Sequence, residues 1–248
     1  MLTFRQLDDL PESLIDIMSA AEQSIIEDMA RRIGRLGEVT DATNWQAWRL
    51  EQIGAAQDAI IRELSRALNI TEKRLIELFD EAATRALAYD NGLFTVAGYS
   101  PVSLAKNPQL QQIIAAGLVK TQGEFRNLTR TTARTATGQF ERALDLAHMQ
   151  IVSGAMDYQH AIKGAVKGLA RDGITAVRYG PQRTDFLDVA TRRAVLTGVN
   201  QTVAEAQLAN MAQMGADLVE TTAHAGARSG YGVGDHSSWQ GRVYRVNK

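Results

Sequence analysis

Cysteine is absent from this chain of 248 residues. Its absence excludes disulfide bonds, thiolate chemistry and any zinc site that needs a cysteine ligand. Long apolar runs are missing too, since no stretch approaches the roughly 20 apolar residues of a membrane-spanning helix. The first residues, Met-Leu-Thr-Phe-Arg, have neither the basic start nor the apolar core of a signal peptide. We therefore expect a protein that is made in the cytoplasm and has no membrane partner.

Familiar catalytic motifs are also lacking. The sequence contains no Gly-x-x-x-x-Gly-Lys phosphate loop, no His-Glu-x-x-His zinc helix and no Gly-x-Ser-x-Gly nucleophile elbow. What the sequence has in number is amphipathic helices. This combination favours an interaction protein over an enzyme, and it predicts no cofactor and no metal.

Charge is distributed unevenly along the chain, although the net charge is only −1. Residues 1–90 contain 10 basic and 17 acidic residues, a net charge of −7. Residues 91–248 contain 17 basic and 11 acidic residues, a net charge of +6. One interpretation is that the two parts have surfaces for different partners. The other is a chance sorting of solvated helix faces.

Three amphipathic helices are predicted in the acidic part. Apolar residues three and four apart form a stripe over residues 11–36, which begins near Pro11 and stops near Gly37. A capping box at residues 43–46 opens a second stripe that contains Trp45 and Trp48 and ends near Asn69. A third helix is predicted from Thr71 to the residues before Asn91. Because the connections are short, we expect an antiparallel bundle.

The next segment contains a loop and a basic stretch. Gly92, Gly98 and Pro101 make residues 91–107 the best candidate for a boundary or hinge, and Asn107 followed by proline predicts a helix start. Threonines alternate with arginines over residues 121–138. A helix there would place the arginines on one stripe, which is either a solvated face or a contact with an acidic protein or DNA. These arginines are Arg126, Arg130 and Arg134.

Mixed structure is predicted for the remainder. We expect helices over residues 139–149, 158–171 and 184–214, and strands over residues 173–179, 217–222 and 242–246. Gly164 and Gly168 lie four residues apart, which suggests close helix packing. The predicted fold is mainly α, with an N-terminal antiparallel helical bundle followed by a helical α+β part with a small sheet near the C-terminus. The predicted division is an acidic bundle (1–90), a hinge and basic helical segment (91–138), and an α+β region (139–248).

The most specific pattern lies near the C-terminus, where polar, aromatic and glycine residues cluster as in a shaped loop. Its residues are His224, Gly226, Arg228, His236, Trp239, Gly241 and Tyr244. We call them the signature residues, because their pattern resembles the signature of the phage minor capsid proteins, a family akin to the head-morphogenesis proteins of tailed phages. The order of residues 161–174, 192–201 and 215–220 also follows that family, so the resemblance covers about residues 140–245. Residues 229–234 are an insertion relative to the family pattern.

This resemblance implies a structural protein of the virion, in the capsid interior or at the portal vertex, that is synthesised in the host cytoplasm. It implies a role in head assembly, DNA packaging or ejection, and partners that include the portal protein, the major capsid protein or both. Packaged DNA is a further candidate partner, and several copies are expected to form a ring. We assign the signature residues a structural role and no catalytic one.

An enzymatic alternative remains open. His224, Arg228, Asp235 and His236 are a conceivable metal or acid–base set, which would make the protein a metal-assisted nuclease or transferase. The competing interpretation is a packed motif in which Trp239 fills a corner between sheet and helix. The two remaining histidines are expected to be half-buried helix residues; they are His148 and His160.

Overall fold

The structure, a computed structural model, describes residues 9–38, 42–178, 184–221 and 237–246. These residues form five α-helices, which confirms the mainly α prediction. The helices are α1 (Glu12–Gly34), α2 (Ala42–Val96), α3 (Pro108–Val152), α4 (Tyr158–Asp172) and α5 (Leu187–Gln213). The strands are β1 (Thr175–Arg178), β2 (Thr184–Phe186), β3 (Leu218–Glu220) and β4 (Val243–Arg245). Strands β1 and β2 form one antiparallel pair, and β3 and β4 form another.

Helix α1 matches its predicted stripe. Pro11 occupies the N-cap position, and the apolar residues three and four apart are buried, as a helix with one face on the core requires. The buried residues of the stripe are Leu14, Met18, Ala21, Ile25, Met29, Ile33 and Leu36. A short 3₁₀ turn, Arg35–Glu38, follows the helix.

Helix α2 is continuous over 55 residues, about 80 Å long. The predicted break near Asn69 is therefore wrong, and so is the helix start at Thr71. Thr71 is buried and its Oγ1 lies 3.8 Å from Met18 Sδ. Its position continues the three-and-four spacing from Leu64 to Leu75, so the core-facing stripe has no gap at which the helix would stop. The burial of Thr71 in this core-facing stripe outweighs the preference of threonine for a helix N-cap.

The end of α2 also lies later than predicted. Asn91 and Gly92 are inside the helix, and Gly98, with φ of +88°, marks the turn after it. The start of α3 is confirmed, because the Asn107 side chain accepts a hydrogen bond from Leu110 N at 3.3 Å. Between the two helices, the chain forms a connection with a 3₁₀ turn at Leu104–Lys106.

Helix α3 passes through the threonine-rich stretch without interruption, so residues 139–149 are not a separate helix. Its exposed and half-buried threonines use their hydroxyl groups within the helix. Thr131 Oγ1 donates to Asn127 O at 2.9 Å, and Thr135 Oγ1 donates to Thr131 O at 3.0 Å. Such bonds to the preceding turn allow threonine in a helix that tertiary packing stabilises.

Helices α3 and α5 cross at a reciprocal contact between glycine and threonine. A Cβ atom on Gly117 of α3 would lie 1.9 Å from Thr202 Oγ1 of α5. A Cβ atom on Gly198 of α5 would lie 2.1 Å from Thr121 Oγ1 of α3. Each helix thus contributes a glycine and, four residues later, a threonine, so that the backbones approach closely.

The close helix packing predicted at the two glycines of α4 is wrong. A Cβ atom on Gly164 or on Gly168 would meet nothing within 4 Å. Helix α4 otherwise agrees with its predicted bounds, with Asp157 as N-cap accepting from His160 N at 3.0 Å. The long helix predicted from Thr184 begins later, at Leu187, because residues 184–186 pair as β2 with β1.

One hydrophobic core extends from Leu14 of α1 to Val203 of α5 and includes buried residues of all five helices. It crosses both boundaries of the three-part division proposed from the sequence. Polar contacts also join the end of α2 and the start of α3 to α5: Asn210 Nδ2 donates to Asn91 Oδ1 at 2.8 Å, and Asn107 Nδ2 donates to Gln213 Oε1 at 2.6 Å. The division into three parts stays a prediction.

Candidate functional site

The C-terminal sheet holds the signature residues that the structure describes. Strand β3 pairs with β4 so that Val219 lies opposite Tyr244. Gly241 has φ of +63°, which favours glycine, and its N–H donates to Thr221 O at 2.9 Å. Gly241 is thus the turn residue that leads the chain into β4.

Thr221 ties the turn to the strand. Its hydroxyl group lies 2.5 Å from Trp239 O, and its backbone N–H donates to Arg242 O at 3.0 Å. The Tyr244 hydroxyl group also reaches Trp239 O, at 3.3 Å. The backbone of Trp239 is therefore an anchor for the turn, held by two side-chain hydroxyl groups.

The indole ring of Trp239 is not in a closed corner. The residue is 41% exposed and Tyr244 is 38% exposed. The expectation that Trp239 fills a buried corner between sheet and helix is therefore not met. Both aromatic side chains of this sheet are thus partly exposed.

The other signature residues lie outside the described residues. These residues are His224, Gly226, Arg228 and His236, together with Asp235 of the enzymatic alternative. Their structural role and the metal or acid–base set stay predictions. Within the described ranges, no three histidine, aspartate or glutamate residues form a group that could hold a metal ion.

The three predicted arginines lie on α3 and are exposed. Arg126 is partly neutralised, because its Nε donates to Glu72 Oε1 of α2 at 2.7 Å. Arg130 and Arg134 make no ion pair with any part of the chain that the structure describes. The stripe therefore contains two uncompensated charges rather than three.

An aromatic and charged cluster that sequence reasoning missed joins α2 to α3. Trp45 stacks on His148 with ring centroids 3.6 Å apart and planes 4° apart. Next to it, Arg49 Nε donates to Asp145 Oδ1 at 2.5 Å and Arg49 Nη2 donates to Glu141 Oε1 at 2.6 Å. Burial lowers the pKa of His148, and Asp145 partly offsets this effect. The cluster fastens one end of the two long helices and leaves the imidazole without a reactive partner within the described chain.

His148 is half-buried, as predicted, whereas His160 is exposed. His160 Nδ1 lies 2.5 Å from Asp157 Oδ2, beside the bond that caps α4. Its role is thus at the helix start rather than in a site.

The last two turns of α2 and the connection to α3 form an apolar tip, which we define as residues 89–105. No charged residue occurs from Asn91 to Ala105. Val96 is 90% exposed and Leu93 is 56% exposed, and three further large apolar residues of the tip are also exposed. These further residues are Tyr89, Tyr99 and Val102. An apolar surface of this kind at the end of two long helices indicates a protein contact.

A cleft of about 680 Å³ opens between α3 and α5 at their glycine–threonine crossing. Its polar walls include Lys120 and Glu124 of α3 and Gln201 and Glu205 of α5. Lys120 Nζ donates to Gln201 Oε1 at 3.3 Å, which joins the two walls. Two threonine hydroxyl groups of its lining donate to carbonyl groups of their own helices: Thr121 Oγ1 to Gly117 O at 2.9 Å and Thr202 Oγ1 to Gly198 O at 2.8 Å.

Comparison with known proteins identifies the family. The family model described as phage minor capsid protein 2 matches residues 2–248, which is nearly the whole chain. The chain belongs to this family. No curated protein and no solved structure gives a significant match.

Membership of the phage minor capsid protein 2 family makes the chain a structural phage protein of the virion, with capsid-related partners. The match also extends over the N-terminal helices, where the resemblance seen in the sequence covered only about residues 140–245. No described helix of this minor capsid protein has the length and hydropathy needed to cross a bilayer. The resemblance proposed from the C-terminal motif is confirmed.

Proposed function

We propose that this minor capsid protein docks at the portal vertex, inside the head, and assists head assembly and the packaging or ejection of DNA. The apolar tip carries this proposal. It offers a protein partner large apolar side chains, which interface cores require, and from Asn91 to Ala105 it places no charge that the contact would have to desolvate. The polar contacts to α5 hold the tip, so it is presented in one position.

The portal protein is the partner that we favour, with several copies of the minor capsid protein arranged in a ring around it. Residues 91–105 of the tip belong to the net basic part of the chain, residues 91–248, and we expect this part to join the particle. The exposed aromatic residues of the C-terminal sheet, Trp239 and Tyr244, provide a second surface that would contact the major capsid protein or a neighbouring copy.

A capture assay tests the docking surface. Purified portal protein and purified major capsid protein are each immobilised and offered the full chain. We expect the portal protein to retain the wild type. The double variant Leu93→Glu/Val96→Glu should not be retained, because the apolar contact would then bury two charges.

Leu50→Glu is the matched control. Leu50 lies on the same helix and is 66% exposed, far along α2 from the tip. Equal loss with Leu50→Glu would show a general effect of acidic charge and would contradict the proposal. Quantitative mass spectrometry of purified heads gives the number of copies per portal, and a number unrelated to the portal symmetry would contradict the ring.

The enzymatic alternative rests on residues of the signature loop that the structure does not describe. It predicts that His224→Ala and His236→Ala remove nuclease or transferase activity without lowering the melting temperature. The structural interpretation predicts a lower melting temperature and no activity to lose.

A further inference from the structure

Two neighbouring helices carry exposed positive charges that make no ion pair with the described residues. On α3, Arg130 and Arg134 are one helical turn apart, exposed, and without an ion pair in the described chain. On α4, Lys163 and Lys167 have the same spacing and exposure, and the described residues likewise provide no ion-pair partner. Helices α3 and α4 pack against each other. We call these four residues the cationic faces.

Acidic residues are scarce along α4 itself. Asp157 and Asp172 delimit α4, and no acidic residue lies between them. Asp157 contacts His160 at the N-terminus of the helix, and Asp172 accepts from Arg171 Nε at 2.7 Å. The carboxylates nearest in sequence are thus engaged by other groups.

Large apolar side chains are missing from the same surfaces. Among the described residues, α3 has no exposed large apolar side chain between Val119 and Leu146, and α4 has none after Tyr158. Protein interfaces are depleted in lysine and need apolar or aromatic anchors at their centre. A binding surface for phosphates needs neither, since it works through charge alone. The composition of the cationic faces therefore matches nucleic acid rather than an acidic protein.

We propose that the cationic faces bind the phosphate backbone of double-stranded DNA, without reading its sequence. The four-residue spacing separates the charges of each pair by about 6 Å along the helix axis, so both can lie against one line of phosphates. Gly164 and Gly168 leave open space beside the lysines, which allows the DNA backbone to approach α4. This inference rests on the proposed place of the protein inside the head, where packaged DNA is the abundant polyanion. It also revises the predicted stripe, since Glu72 already pairs with Arg126 and the lysines of α4 were not part of it.

Fluorescence anisotropy with labelled DNA duplexes tests the inference on the full chain. We expect the wild type to bind two duplexes of unrelated sequence equally at low salt. The variant Arg130→Gln/Arg134→Gln/Lys163→Gln/Lys167→Gln should bind at least about tenfold more weakly. The slope of log K against log salt should become shallower by about 0.9 for each lost phosphate contact.

The matched control is Arg62→Gln/Lys73→Gln. Both residues are exposed cations of α2 in the acidic part, and neither has an ion pair in the described chain. The control should bind DNA like the wild type. Absence of wild-type binding at low salt would overturn the inference, and so would equal losses in variant and control. Binding to a polyglutamate peptide in place of DNA would overturn it as well, because it would show an acidic protein as the partner.

Portal capture separates this inference from the proposed function. The four-residue variant should still be retained by the portal protein, since the apolar tip is intact. If the portal protein captured neither the wild type nor the variant, while the wild type still bound DNA, the portal role would be rejected and the cationic faces would remain supported. Thermal melts of all variants should coincide with the wild type, because only exposed side chains change.

Discussion

The helical body and the C-terminal sheet are stabilised in different ways. The body, residues 12–213, buries large side chains such as Phe79, Phe125 and Phe140 in one continuous core. In the C-terminal sheet, which we define as residues 217–221 and 237–246, no described residue is buried. Backbone pairing, the hydroxyl contacts to Trp239 O and an ion pair between Arg245 and Asp217 at 3.1 Å are what the structure shows there. A two-stranded sheet alone is marginal in water.

This difference means that the residues that stabilise the fold and the residues by which the family is recognised lie in different regions. The motif by which the family is recognised in the sequence lies largely in a region without a described core. Helices of the body could be replaced by many apolar sequences of the same period and still pack. An exposed Trp–Gly–Tyr pattern has no comparable freedom if it must fit another protein. We infer that contact with the particle, rather than folding, requires the signature residues of the C-terminal sheet.

The sharpest test substitutes one large aromatic residue in each region. Phe140→Ala should lower the free energy of unfolding by about 3–5 kcal/mol, because it empties a fully buried site. Trp239→Ala should lower it by less than about 1 kcal/mol, as expected for an exposed side chain. Chemical denaturation of both variants measures the two values. Equal losses of unfolding free energy would mean that the indole of Trp239 is as important to folding as the buried Phe140. The contrast between the body and the C-terminal sheet would then be wrong.

Glycines within the body provide a smaller and more local test. Gly117→Ala places a methyl group against Thr202, and we expect it to destabilise the protein by about 1–3 kcal/mol. Gly123→Ala, on the same helix, meets nothing within 4 Å and should stabilise it by up to about 1 kcal/mol through helix propensity. Opposite signs in thermal or chemical unfolding would verify the close crossing of α3 and α5. A stabilised Gly117→Ala variant would instead show that the helices have room to separate.

Local patterns predicted much of this fold. The stripe of α1, the cap at Asn107 and the short strands followed from periodicity and turn chemistry, which act over a few residues. The continuous α2 did not, because Thr71 has both the chemistry of a cap and a place in the core stripe. Only its contact with Met18, 53 residues away in sequence, decides between the two.

The site was less predictable for the same reason. Gly164 and Gly168 have the spacing expected of a close helix contact and face open space, whereas Gly117 and Gly198 each make such a contact through a threonine. The stacking of Trp45 on His148 joins residues more than 100 positions apart, and no local signal indicates it. The exposure of Trp239 could not be inferred either, since the same aromatic residue suits a core or an interface.

The last prediction concerns pH, and its expected effect is the smallest. In the body, Ile174 N donates to Glu22 Oε1 at 2.6 Å. Burial raises the pKa of Glu22, the bond from Ile174 opposes this, and nearby Asp188 raises the pKa further. The folded protein therefore keeps a proton on Glu22 at pH values where the unfolded chain has released it. This contribution to stability is complete below the unfolded pKa and is lost as the pH rises through the folded pKa.

Glu22→Gln keeps an oxygen acceptor for Ile174 N and removes the charge. We expect the variant to melt at a higher temperature than the wild type at neutral pH, with a difference that shrinks as the pH is lowered toward 4. Glu27→Gln, on the exposed side of the same helix, is the control substitution. Melting curves between pH 4 and 7 measure both differences. A Glu22→Gln difference that grew in acid would mean that the surroundings of Glu22 stabilise its carboxylate. The helical body would then tolerate a buried negative charge at this position.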